Sequence, residues 1–372
     1  MSEKKLKKYE YIDALRGIAI LAVFMIHVAQ TATPSSSALI RITNFGHLGV
    51  QLFFLTSALT LFLSMASRKG NESHPITFFF IRRFFRIAPA FYLALIVYLI
   101  HNGTSASYFA PNGISWWHIA STVFFIHGWH PETITSVVPG GWSIAVEMTF
   151  YAIIPFLFKT IKSTHTAVAA FIGSVILSII VHTILINHLL PFFPQNEQYL
   201  VKDFAYLMFF NQLPVFILGI LIYHLIKSEA LRKNSDTSLL FSSLSLLLLF
   251  MTYMGSPPPL KMPEHIYSSI CFSLLIISLY AHPLPLIVNK LTVSIGKLSF
   301  SLYLSHFLVI DLLKTFVPDG FHLNKNIGFI AFFSAAFALS ATISYISYRT
   351  IEANGIKLGR KIIARIQKKA AQ

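Results

Sequence analysis

Tyr11-Ile-Asp13-Ala-Leu-Arg16-Gly17-Ile-Ala-Ile-Leu-Ala-Val-Phe-Met-Ile-His27 is an apolar run interrupted by Asp13, Arg16 and His27. With its flanks it reaches the ~20 residues that cross a bilayer as a helix. An ionisable side chain within such a span costs about 2.5–3.5 kcal/mol on insertion scales and marks a functional candidate. Arg16 and His27 are eleven residues apart, which brings them within about 20° of each other on one helix face, ~16 Å apart along the axis. Asp13 and Arg16, at i and i+3, can pair. Two readings stand for this stripe. Either Arg16 anchors the helix at the cytosolic edge and His27 is a satisfied interfacial residue, or the two serve chemistry at opposite ends of one face.

The rest of the chain resembles this stretch. Of 372 residues, 55% are hydrophobic and 12% charged, and mean hydropathy is +0.66. Soluble domains carry roughly 25% charged residues, and disorder requires low hydrophobicity, so both classes are excluded. Apolar runs fall at about 12–30, 46–66, 86–101, 142–158, 166–188, 204–226, 238–254, 265–281, 298–313 and 326–348. The prediction is an all-α integral membrane fold of about ten transmembrane helices in one bundle. The segment 115–129 is shorter and holds Trp116, Trp117, His118, His127 and Trp129; such aromatic-rich stretches favour the interface, so a re-entrant or interfacial helix is predicted there. Three parts follow: a basic N-terminus at 1–11, the membrane domain at 12–350 and a basic tail at 351–372. Cys271, the sole cysteine, excludes an internal disulfide or a multi-cysteine metal site and suits helix packing.

The net charge of +15 is distributed unevenly. With ten spans and a cytoplasmic start, 24 of the 29 Lys and Arg fall inside. They include Lys4, Lys5, Lys7 and Lys8, the loop from Arg68 to Arg86, Arg232 and Lys233, and the tail. Short cytoplasmic loops are enriched in this way, so both termini are expected in the cytoplasm and no nucleic-acid partner is implied. The first run is longer than the ~7–15-residue core of a signal peptide and carries Asp13 and Arg16, so it is read as a retained span. Pro257, Pro258 and Pro259 mark an external loop.

Other polar residues repeat the pattern. In Gly140-Gly-Trp142-Ser143-Ile-Ala-Val-Glu147 the acid lies ~7 Å below the outer edge, at a depth similar to that of His27. A carboxylate there can fix the imidazole tautomer and raise its basicity, or else it is a neutral acid bonded within the bundle. Ser143 shares its helix face. Arg82-Arg83-Phe-Phe-Arg86 stands at the cytosolic start of the third run, where arginine forks can take phosphate bidentately or anchor to lipid. His306 lies within the ninth run, lining a site or packing.

Seven stretches occur in a fixed order: Ile12–Ile20 with His27 completing Arg-x10-His; Gly49–Ser57; Arg82–Pro89; Gly141–Glu147; Leu213–Gly219; Gly296–His306; and Tyr348–Glu352. Together they resemble the membrane-bound acyltransferase 3 family, the O-antigen acetylase and polysaccharide O-acetyltransferase type. The chain departs from the family pattern at Ser57-Ala58-Leu59, usually Ser-Gly-Phe, and at Met148, often a second acid.

The resemblance implies transfer of an acyl group, usually acetyl, from cytosolic acyl-CoA as co-substrate to a hydroxyl of an envelope carbohydrate or glycolipid. No permanently bound cofactor and no metal are implied. His27 is the expected catalytic base with Glu147 as its support, while Arg16, Arg83 and Arg86 are expected to hold the donor. Asp13, Trp142, Ser143 and His306 are supporting candidates. The setting expected is a bacterial inner membrane, with the chain acting without the extra C-terminal hydrolase-like domain of some relatives. The rival reading is a transporter or flippase using buried His, Glu and Arg as a relay; it calls for paired broken helices in two related halves, and no such repeat is present in the sequence.

Overall fold

A computed structural model describes residues 9–228, 231, 234–255, 258–317 and 324–370. Lys4, Lys5, Lys7, Lys8, Arg232, Lys233 and Pro257 lie outside the described residues, as does most of the basic N-terminus. Among the described residues the regular elements are all helices, and ten helical runs are long and apolar enough to cross a membrane. The protein is a multi-pass integral membrane protein.

The chain forms two compact units. The first comprises Met1–Leu61 and Leu218–Tyr348. It contains α1 (Glu10–Thr31), α2 (Ser37–Asn44) and most of α3 (Gly49–Arg68). Later in the chain come the end of the helix Phe209–Lys227, Ser235–Tyr253, Glu264–Ala281, Lys290–Phe316 and Lys325–Ser347. The first unit is organised around the pairing of α1 with Lys290–Phe316. A Cβ on Gly17 would lie 2.1 Å from the Thr292 carbonyl oxygen, and one on Gly296 would lie 1.7 Å from that of Asp13. Glycine at both positions lets the two backbones touch. Farther along the pair, Phe24, Val28, Val309, Ile310, Phe329, Phe332 and Ala336 form a closed apolar cluster.

The second unit comprises Phe62–Ile217 and Arg349–Gln372. Continuing in chain order, α4 is Pro75–Asn102, α5 Trp116–Val123, α6 Trp142–Thr160, α7 Thr164–Ile184, α8 Gln198–Leu207 and α9 Phe209–Lys227. In the first unit α10 is Ser235–Tyr253, α11 Glu264–Ala281, α12 Lys290–Phe316 and α13 Lys325–Ser347. The tail forms α14, Ala353–Ala370, in the second unit.

Several element bounds differ from the apolar runs, each for a local reason. α4 begins at Pro75 rather than near residue 86, because proline suits the first helical position. The arginines at 82, 83 and 86 therefore stand inside the helix, not at its start. The sixth span breaks at Met208, whose backbone is extended; Asn211 Nδ2 and Gln212 Nε2 donate to the Tyr206 carbonyl at 2.7 and 2.8 Å. That repairs the loss of helical bonds, as hydrocarbon demands. The segment near 115–129 holds an eight-residue helix, α5, and a single 3-10 turn at His127–Trp129. It is too short to span, and Trp116, Trp117 and Trp129 are exposed. Cys271 is buried and free.

Candidate active site

In the first unit, α1 sets out its polar stripe as the spacing requires. Arg16 Nη1 lies 3.6 Å from Asp13 Oδ1, and Nη2 donates to Thr60 Oγ1 at 3.1 Å. Those contacts turn the guanidinium toward α3 and hold it there. Eleven residues on, the His27 Nδ1–H donates to Gln30 Oε1 at 2.9 Å. With the proton held on Nδ1, Nε2 is the basic nitrogen. The ring is only partly buried.

His306 joins it. The two imidazole centroids are 5.3 Å apart, and both rings pack on Phe307 with centroids at 4.2 Å. His306 is fully buried. Its Nδ1–H donates to the Tyr303 carbonyl at 2.6 Å, and its Nε2 is buried with no hydrogen-bond partner among the described residues. A buried polar atom without a partner is costly, so this nitrogen is an unmet acceptor beside His27.

The second unit builds a separate cluster on α4 and α6. Gly140 takes φ +74°, in the left-handed region, and the chain then turns into α6. The neighbouring carbonyl of Gly141 accepts from His127 Nε2–H at 3.1 Å. His127 is buried and stacked on Phe91, 5.9 Å between centroids at 12°. Burial pushes its imidazolium down to about 4, so the ring is neutral near pH 7. Ser143 Oγ donates to the Gly140 carbonyl at 3.2 Å, which closes this first turn. Trp142 packs against Ile134, Phe204 and Met208.

One turn below Ser143, Glu147 Oε1 accepts from Tyr151 Oη at 2.5 Å. The Arg83 guanidinium stands 5.7 Å from the Tyr151 ring centre and 5.8 Å from that of Phe79, and Arg86 is close enough to act on the same phenol through its charge. Arg82 faces elsewhere: it grips Glu72 with two hydrogen bonds of 2.7 and 3.0 Å. Within its segment, then, Arg82 is bound to an acid, whereas Arg83 stands beside Tyr151, the tyrosine that bonds Glu147.

Of the residues singled out by sequence, Asp13, Arg16, His27 and His306 share the first unit, and Arg83, Arg86, Trp142, Ser143 and Glu147 share the second. His27 and Glu147, expected as a dyad, thus belong to different units, and each has a partner inside its own. Tyr151, Thr60, Gln30 and His127 were not anticipated. Tyr151 is i+4 from Glu147 and Gln30 is i+3 from His27, spacings that face each other on a helix. No local signal points to Thr60, 44 residues from Arg16.

Each unit thus carries ionisable side chains on apolar helices: Arg16, His27 and His306 in the first, and Arg83, Arg86 and Glu147 in the second. A family model described as an acyltransferase domain matches residues 9–349, and the chain belongs to that family. It is similar to O-acetyltransferase OatA of Staphylococcus aureus strain MRSA252, 24% identical over 395 residues, covering 97% of this chain and 59% of the relative. OatA of strain NCTC 8325 / PS 47 matches with the same identity and coverage. The chain thus spans about three fifths of the length of these relatives. No solved structure matches.

Proposed function

We propose that the protein is an O-acyltransferase that moves an acetyl or similar acyl group from acyl-CoA to a hydroxyl of an envelope carbohydrate or glycolipid. The observation that carries this reading is the His27 ring: Nδ1 is held by Gln30 and Nε2 is left basic, on the same helix face as Arg16. The family supports acyl transfer, and the chain's similarity to O-acetyltransferases supports oxygen as the acceptor atom.

His27 Nε2 takes the proton of the acceptor hydroxyl as its oxygen attacks the thioester carbonyl. The carbon–sulfur bond then breaks, and the thiolate leaves with the proton returned by the imidazolium. Arg16 in the first unit, kept in position by Asp13 and Thr60, and Arg83 and Arg86 in the second are each candidates for binding donor phosphate. Glu147, held by Tyr151 in the second unit, is a second candidate group for the chemistry. His306 fixes the His27 ring by packing, and Trp142 and Ser143 set the turn that carries Glu147. The positive charge distribution favours a cytoplasmic donor side and a bacterial cytoplasmic membrane.

The test is acceptor-dependent release of free coenzyme A from acetyl-CoA by purified protein. General-base action is worth about 10²–10⁴-fold, so His27→Ala should lose transfer by that margin while remaining monodisperse in detergent. Near-normal transfer by His27→Ala would overturn the assignment. Uptake of substrate without release of coenzyme A would favour a transporter.

A further inference from the structure

Within the second unit, the end of α3, the turn after it, the start of α4 and the end of α6 enclose a cavity of about 290 Å³. Its floor is apolar, made largely by Ile76, Phe79, Pro155 and Phe158. Its rim is cationic, with Arg68, Lys69, Arg82, Lys159 and Lys162 against one acid, Glu72. That acid is already engaged: Arg68 donates to it at 3.2 Å, and Arg82 Nη1 and Nη2 donate to both of its oxygens. Lys162 Nζ donates to the Phe158 carbonyl at 2.8 Å and stands 5.4 Å from the Phe158 ring centre. Among the described residues, Lys69, Lys159 and Lys162 form no ion pair.

We propose that this cavity binds an anionic phospholipid, its headgroup phosphate among Lys69, Lys159 and Lys162 and the start of an acyl chain on Phe79, Phe158 and Ile76. Charge complementarity decides for an anion, since the rim keeps three uncompensated ammonium groups around an apolar floor. Volume and lining decide for a lipid over a nucleotide thioester. Pockets that enclose a whole drug-sized ligand occupy roughly 300–1,000 Å³, so this one takes only part of a larger molecule. It offers few hydrogen-bonding groups to a nucleobase, and Arg83 and Arg86 do not line it. Lysine supplies a point charge suited to a phosphodiester, and basic pockets at helix ends bind anionic headgroups.

The full chain, purified in detergent, is exposed to phosphatidylglycerol, phosphatidylcholine or coenzyme A and weighed by native mass spectrometry. One phosphatidylglycerol should be retained in preference to phosphatidylcholine, and excess coenzyme A should not displace it. Lys69→Gln, Lys159→Gln and Lys162→Gln should each weaken retention about fivefold. Ile76→Trp, which fills the floor and leaves the charges, should weaken it as well. Equal retention of the two lipids by the unaltered protein, displacement by coenzyme A, or unchanged retention in folded variants would each overturn the proposal. The comparison on the unaltered protein decides even where a variant fails to fold.

Discussion

His27 and His306 meet across two parallel helices, each exactly ten residues beyond the glycine at which its helix touches the other. Gly17 and Gly296 set the closest approach of α1 and α12, and ~15 Å farther along both axes the imidazoles are 5.3 Å apart. Because glycine contact and histidine contact follow in the same order on both helices, the helices run in the same direction. The glycines therefore act as the register marks of the pair.

Alanine at either glycine should separate the helices. A methyl group at Gly17 or Gly296 would run into backbone, which cannot rotate away. Forcing extra atoms into a packed contact costs typically about 1–3 kcal/mol. Gly17→Ala and Gly296→Ala should both lower Tm and coenzyme A release, whereas Gly173→Ala on α7, with open space around it, should lower neither, since alanine is the better helix former. Thermal unfolding in detergent, followed beside activity, checks this.

The Glu147–Tyr151 bond should matter to turnover. Tyr151→Phe removes the donor and leaves a part-buried carboxylate with one bond fewer; hydrogen bonds to charged groups are worth about 1.5–3 kcal/mol. Transfer should fall about tenfold or more in Tyr151→Phe and in Glu147→Gln, and the double variant should be no worse than the more damaged single one. Additive losses would show that the two act separately.

The arginines of α4 should divide by role. Arg82→Gln breaks the grip on Glu72 and should lower Tm while leaving KM for acetyl-CoA unchanged. Arg83→Gln and Arg86→Gln should raise that KM several-fold with smaller effects on Tm. Steady-state kinetics with varied donor, beside melting curves, separates the two outcomes.

His306→Phe keeps the ring contact with Phe307 and removes both nitrogens. Transfer should persist within about threefold of the original, because an aromatic ring of similar shape keeps the contact that a packing role requires. His306→Ala opens a cavity beside His27 and should reduce kcat far more than KM. Loss of transfer in His306→Phe equal to that in His306→Ala would make the His306 nitrogens, rather than its shape, the essential feature.

Acidification should loosen the turn before α6. His127 is neutral when folded, with its imidazolium down at about 4 through burial, against roughly 6.5 when unfolded. Below pH 6.5 the unfolded state therefore binds more protons, and stability contributed by this residue is lost as pH falls toward 4. Tm should drop over that window in the original protein and drop less in His127→Gln. Equal slopes in both proteins would remove His127 as the cause.

The spans were readable because hydrocarbon imposes a length and a composition, and the polar stripe of α1 because helical spacing places Arg16 and His27 on one face. Other features depended on sites distant in sequence. The Thr60 hydroxyl is an ordinary helix side chain until Arg16 reaches it. The start of α4 depends on Pro75, which lies outside the most apolar run, so Arg82, Arg83 and Arg86 read as an entrance when they stand inside the helix. The division of that cluster, with Arg82 on Glu72 and Arg83 beside Tyr151, follows from rotation about α4 and from an acid ten residues away. The approach of His306 to His27 was also hidden, although each follows a glycine by the same interval in the sequence.

α14 bears on any shortened form of the protein. Gly355 and Gly359 let this amphipathic helix lie directly against Phe85 and Pro89 of α4, with Ile363 also turned inward. It is a splint along the arginine-bearing segment. A stop codon placed after Glu352 would strip the cover from Phe85, one residue from Arg86, and expose an oily strip on α4. Affinity handles are therefore better appended beyond residue 370 than substituted for the terminal twenty residues, however dispensable a lysine-rich ending looks on paper.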